Sequence, residues 1–85
     1  MKLKILTITG QTEGAILCSY THNKEEYIVT ITTEAITLLN PDNEDLNIIL
    51  KQNISTFDYI CKTKFNNQNI NINSLDMVKY FRNLL

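Results

Sequence analysis

Residues 42–65, D-N-E-D-L-N-I-I-L-K-Q-N-I-S-T-F-D-Y-I-C-K-T-K-F, carry the longest helical pattern in the chain. Leu46, Leu50, Asn53, Phe57, Cys61 and Phe65 run down one stripe, flanked by Ile49 and Ile60. Apolar residues recurring at intervals of three and four mark a helix with one buried face. Unbroken, this helix would be about 34 Å long at about 1.5 Å per residue. Its stripe must be buried against another layer, and that requirement shapes the reading of the rest of the chain. Asn53 is the one polar residue in the stripe. Ser55-Thr56-Phe57-Asp58 also has the form of a capping box, which offers the alternative of a second helix after a break near Asn53. The stripe stays in phase across this point and no Gly or Pro intervenes, so one long helix is the expectation.

The covering layer lies upstream. Residues 2–9 are rich in Ile, Leu and Thr, which favours a strand. Leu3 and Ile5 fall on one face and Leu6 and Ile8 on the other, so either both faces are covered or a bulge shifts the register. Gly10 and Gly14, the only two glycines, read as hairpin punctuation. Residues 15–20 form a second strand with Ile16, Cys18 and Tyr20 on one face. A polar turn follows over 21–25, where Asn23 takes a positive φ at little cost. Residues 26–32 form a third strand with Tyr27, Val29 and Ile31 together. The result is an antiparallel meander.

The period then changes from two to about 3.6. Thr32 or Thr33 suits an N-cap, Glu34 complements the helix dipole, and Ala35, Ile36 and Leu39 line a short helix that Asn40-Pro41 ends. Asp42 is the expected N-cap of the long helix. After it, Ile70 and Ile72 alternate with asparagines as a short strand. Ser74 is the expected N-cap of a final helix. There Leu75, Val78, Phe81 or Arg82, and Leu85 recur at helical spacing, with Met77, Tyr80 and Leu84 widening the stripe. The order β-β-β-α-α-β-α predicts a two-layer α+β domain over residues 1–85. In it an antiparallel three-stranded meander plus a late fourth strand is covered by one long helix and short flanking helices.

The segment Ile31-Thr32-Thr33-Glu34-Ala35-Ile36-Thr37-Leu38-Leu39 has the form I-x-x-E-A-[LI]-x-x-L. A short acidic link follows, then apolar positions at Leu50, Phe57, Ile60 and Cys61, a strand, and the pair Leu75-Asp76. Over residues 27–76 this resembles a small uncharacterised bacterial family of about this length, known only as a domain of unknown function. The resemblance implies the same sheet-plus-helix layout and supplies no catalytic residue. The chain departs from it at Asn53-Ile54, where the family has a polar residue followed by Arg, and over residues 77–85, which have no counterpart.

Composition narrows the function classes. Eight basic and nine acidic residues give a net charge of −1, which provides no general field toward nucleic acid or an anionic membrane. No stretch approaches the roughly 20 apolar residues of a membrane span. The start M-K-L-K-I-L-T-I-T imitates a signal peptide, but Thr7 and Thr9 interrupt the apolar run. A cytoplasmic location is therefore expected, with Cys18 and Cys61 as buried thiols rather than a disulfide. His22 lies in a polar turn without a partner for base catalysis. Asp42, Glu44 and Asp45 cluster where they would cap a helix, without the spacing of a calcium loop. Asp58 and Lys62 form a favourable i,i+4 pair on a helix. None of the common phosphate, nucleophile or zinc motifs occurs.

These absences lead to the expectation of a non-enzymatic binding or assembly module with no catalytic, cofactor or metal residue. It would act through contact with a protein partner or a second copy of itself. Met77, Tyr80, Phe81 and Leu84 are the candidate protein contacts, and the first strand is another candidate edge. The alternative is a small regulator acting on nucleic acid or on a nucleic-acid enzyme, in the manner of a mobile-element product, with Lys62, Lys64, Lys79 and Arg82 as candidate contacts. The low charge density argues against direct nucleic-acid binding.

Overall fold

The computed structural model describes residues 7–42 and 45–84, with side chains described as far as residue 82. The order is β1 (Thr7–Thr12), β2 (Ala15–His22), β3 (Glu25–Thr32), α1 (Thr33–Thr37), α2 (Leu46–Gln52), α3 (Ile54–Lys64), β4 (Ile70–Ile72) and α4 (Ser74–Leu84). It is an α+β fold with one four-stranded sheet in the order β1-β2-β3-β4. The first three strands are the expected antiparallel meander. β4 joins β3 in parallel, so the sheet is mixed.

Register explains the core. Ile8 opposes Cys18, Cys18 opposes Val29 and Val29 opposes Ile70, a row crossing all four strands. Ile16, Ile31 and Ile72 form the next row. Side chains of a strand alternate between faces, so these rows share one face. Over it lie Ala35 and Ile36 of α1, Ile49 and Leu50 of α2, Phe57, Ile60 and Cys61 of α3, and Met77 of α4, all buried. The other sheet face presents Ser19, Thr30 and the exposed Ile28 and Asn71.

Turn chemistry follows the sequence. Asn23 and Lys24 both adopt positive φ, 50° and 68°, in a two-residue loop between the paired His22 and Glu25. This is the conformation that matches strand twist in tight hairpins. His22 therefore ends β2 instead of lying in the turn. Gly14, at φ 85°, turns the first hairpin. Gly10 lies within β1, beside the register shift between Ile8 and Gly10. The alternation break that suggested either a bulge or two covered faces, among Leu3, Ile5 and Leu6, lies outside the described residues; this irregularity is a separate one, after Ile8.

One expectation is overturned. The single long helix is two helices, α2 and α3, meeting at Asn53 with φ −117° and ψ 26°. The Asn53 N–H donates to the carbonyls of Ile49 and Leu50, at 3.1 and 3.2 Å. Its Nδ2 donates to the Ile49 carbonyl at 2.9 Å. Its own carbonyl accepts from Thr56 and Phe57, at 3.0 and 3.2 Å. An asparagine in a buried stripe must find polar partners, and its side chain competes with the backbone ladder for them. The break meets that need. It also suits the molecule's size: a helix of about 34 Å would span nearly the whole 37 Å longest extent. The break falls where the capping-box alternative put it, although Asn53 rather than Ser55 flanks the new helix.

Two caps also differ from expectation. Asp45, not Asp42, caps α2, its Oδ1 accepting from the N–H groups of Asn47 and Ile48. Asn73, not Ser74, precedes α4: its Oδ1 accepts from the Asp76 N–H at 3.1 Å, and Asp76 Oδ2 accepts from the Asn73 N–H at 2.9 Å. This is a reciprocal capping box. Thr32 caps α1 as expected, accepting from the Ala35 N–H.

Candidate functional site

The helical layer offers a groove between α3 and α4. α3 is fixed by Phe57, Ile60 and Cys61, buried in the core. That rotation leaves Tyr59 and Thr63 on the flank toward α4. α4 is fixed by Met77 and by a polar tie at its start. Lys64 Nζ, at the end of α3, bonds Asp76 Oδ2 at 2.8 Å and also donates to the Asn71 carbonyl of β4. The tie joins α3, β4 and α4 through one ammonium group. Tyr59, Ile60, Thr63 and Lys64 line one wall of the groove, and Asp76, Lys79 and Tyr80 the other, around a volume of about 430 Å³. The rings of Tyr59 and Tyr80 meet edge to face at 5.6 Å, and Tyr80 meets Phe81 at 5.5 Å.

The expected site residues separate here. Met77 is fully buried and is a core residue, not a contact. Tyr80 is half-buried in the groove wall, and Phe81 is 40% exposed. Leu84 ends α4, with its side chain outside the described set. Among the cations, Lys64 and Lys79 line the groove, while Lys62 and Arg82 do not. Lys64 is committed to Asp76 and the β4 edge, so its charge is largely spent within the fold.

The α4 stripe is rotated from the sequence reading. Leu75, Val78 and Phe81 face water at 68%, 44% and 40% exposure, while Met77 carries the buried face. Tyr59, 53% exposed, lies off the α3 core stripe, so helical spacing alone does not mark it as a protein contact. The signal that could have found the rotation is N-S-L-D at residues 73–76, a capping-box pattern that places Asp76 and the side of the helix next to it against the preceding elements.

The remaining titratable groups lie elsewhere. Asp58 is buried at 4% exposure, and its Oδ1 has no hydrogen-bond partner. Burial raises its pKa against the opposing pull of Lys62. Burial likewise pushes the Cys18 thiol up to about 11, and the Cys61 thiol up to about 12 with help from Asp58 and Cys18. Both are free and uncharged at neutral pH, which makes them poor nucleophiles. His22 packs its ring on Phe65 at 4.3 Å, beside Tyr20 and Tyr27, which meet the same ring at 6.0 and 4.9 Å. Among the described residues no group of three or more His, Cys, Asp and Glu is placed to hold a metal, and no helix is long and apolar enough to cross a membrane.

Comparison with family models, curated proteins and solved structures finds no match.

Proposed function

We propose that the chain is a non-enzymatic binding module of the cytoplasm that acts through protein–protein contact, with the helical layer as its contact surface. The observation that carries this reading is the set of apolar side chains left in water on α4, Leu75, Val78 and Phe81, with Tyr59 exposed on the neighbouring helix. Single exposed apolar residues are ordinary, but a group on one helix beside an aromatic groove favours a contact surface. Their removal from water on binding would supply the driving force. Sedimentation velocity at micromolar concentration, with and without candidate partners, tests it. Wild type is expected to shift with a partner, and Leu75→Ser/Phe81→Ser is expected to lose the shift while keeping its fold. A wild-type chain that stays monomeric and binds no protein sinks the reading.

A nucleic-acid contact is the second reading, favoured by the Tyr59–Tyr80 ring pair flanked by Lys64 and Lys79. Stacking rings beside cations suit single strands. The separation of Lys62 and Arg82 from the groove weakens it. Salt-dependent retention of a labelled oligonucleotide, lost in Lys79→Glu, would support it; no retention at low salt would end it.

A further inference from the structure

We infer that the α3–α4 groove receives an acidic amphipathic helix of a different protein, not a second copy of this chain. The inference rests on the protein-contact reading and specifies the partner's chemistry. Its first support is the charge of the surface. Lys79 and Arg82 on α4 have no ion-pair partner among the described residues, and Lys79 lines the groove. The only carboxylate among the described residues that line the groove, Asp76, is already neutralised by Lys64 at 2.8 Å. The one other acid on α3 or α4, Asp58, is buried away from it. Among the described residues the groove therefore carries one cation without an ion pair, Lys79, and no unpaired carboxylate, and complementary charge steers and selects an occupant.

The same charges disfavour a second copy. Twofold pairing through α4 would bring the patch that carries Lys79 and Arg82 against the same patch of the second copy. No free acid on α3 or α4 is there to separate them, and like charges brought together oppose association.

The shape and floor point to a helix. The groove lies between α3 and α4, lined over residues 59–64 and 76–80, about 8 Å of helix at about 1.5 Å per residue. Ile60 and the rings of Tyr59 and Tyr80 form an apolar floor with hydroxyl tips. Two apolar residues of an amphipathic helix, at i and i+3 or i+4, span such a floor. Glu or Asp on its flanks would then reach Lys79.

The test uses the full chain, labelled with nitrogen-15, and three probes. These are a synthetic amphipathic peptide with Leu at i, i+3 and i+7 and Glu on the flanks, the same peptide with Lys for Glu, and an oligothymidylate. At about millimolar probe, the weak end of specific binding, the acidic peptide should shift the amides of Tyr59, Thr63, Lys79 and Tyr80. The lysine peptide should not. Lys79→Glu should weaken the acidic peptide at least tenfold and Tyr59→Ala should weaken it too; both positions are exposed, so both variants keep the fold. Equal binding of both peptides, stronger shifts of the same amides by the oligothymidylate, or no shift by any probe would overturn the inference. A concentration-dependent dimer that protects these amides would overturn it while leaving the protein-contact reading standing. A monomer silent to all probes and to every protein tested removes both.

Discussion

α3 and α4 are both eleven residues long and both amphipathic, yet they meet the core differently. α3 buries Phe57, Asp58, Ile60 and Cys61. Among its described side chains α4 buries only Met77 fully, and it leaves Leu75, Val78 and Phe81 in water. α3 is pressed between the sheet and its neighbours, so its largest apolar residues decide its rotation. α4 starts from a fixed point, the Asn73–Asp76 box tied to Lys64, and that polar anchor decides which side turns inward. Apolar pattern therefore predicts the face of a helix held by its apolar side chains better than the face of one held by a polar anchor.

The contrast can be broken by substitution, and the largest effect belongs to α3. Phe57→Ala should cost about 3–5 kcal/mol, a large share of a small domain's stability, in urea unfolding. Met77→Ala should cost less, about 2–3 kcal/mol, because its flexible thioether side chain is smaller than the Phe57 ring and leaves a smaller cavity. If Met77→Ala equalled or exceeded Phe57→Ala, the two helices would not differ as described.

Asp58 sharpens the comparison, because α3 buries a carboxyl that α4 keeps tied in a cap. Its folded pKa is raised above the ordinary 3.8 by burial. The folded chain therefore holds this proton more tightly than the unfolded one. The stabilisation is fully present below the unfolded value and is lost as pH rises through the folded value. Stability should thus fall with rising pH over that window, and Asp58→Asn should flatten the fall. At neutral pH, Asp58→Asn should unfold at higher urea than wild type, by on the order of 1 kcal/mol. A steeper profile in the variant would contradict the burial argument.

The α4 anchor should give a smaller effect. Asn73→Ala should cost about 1 kcal/mol, the usual value of an N-cap, and should speed amide exchange in the first turn of α4. Leu75→Ser marks the lower limit: at 68% exposure it should change stability by less than about 0.5 kcal/mol. A loss near that of Met77→Ala would mean that Leu75 faces the core after all.

β2, β3 and β4 were legible because alternation and turn chemistry act over a few residues; β1 runs from Thr7 through Gly10 to Thr12, past its expected end at residue 9. Tyr27, Val29 and Ile31 fell on the buried face as their spacing required, and Asn23 took the positive φ its short amide side chain tolerates. The buried thiols and the Thr32 cap were legible for the same reason. The α3–α4 groove was not. It depends on Lys64 finding Asp76 twelve residues away, and on Tyr59 and Tyr80 meeting at 5.6 Å across two helices. Neither pairing leaves a local pattern.

The residues 42–65 show the division most clearly. Their sequence determined that Leu50, Phe57, Ile60 and Cys61 would be buried on helices, because helical period and apolar area are properties of the segment itself. Only the tertiary structure decided that Asn53 would interrupt them. A single phase of apolar residues is compatible with one helix or two. The choice depends on how far a straight rod can lie across a small sheet and on where a half-buried amide finds its hydrogen bonds, and both are set by the surroundings rather than by the segment.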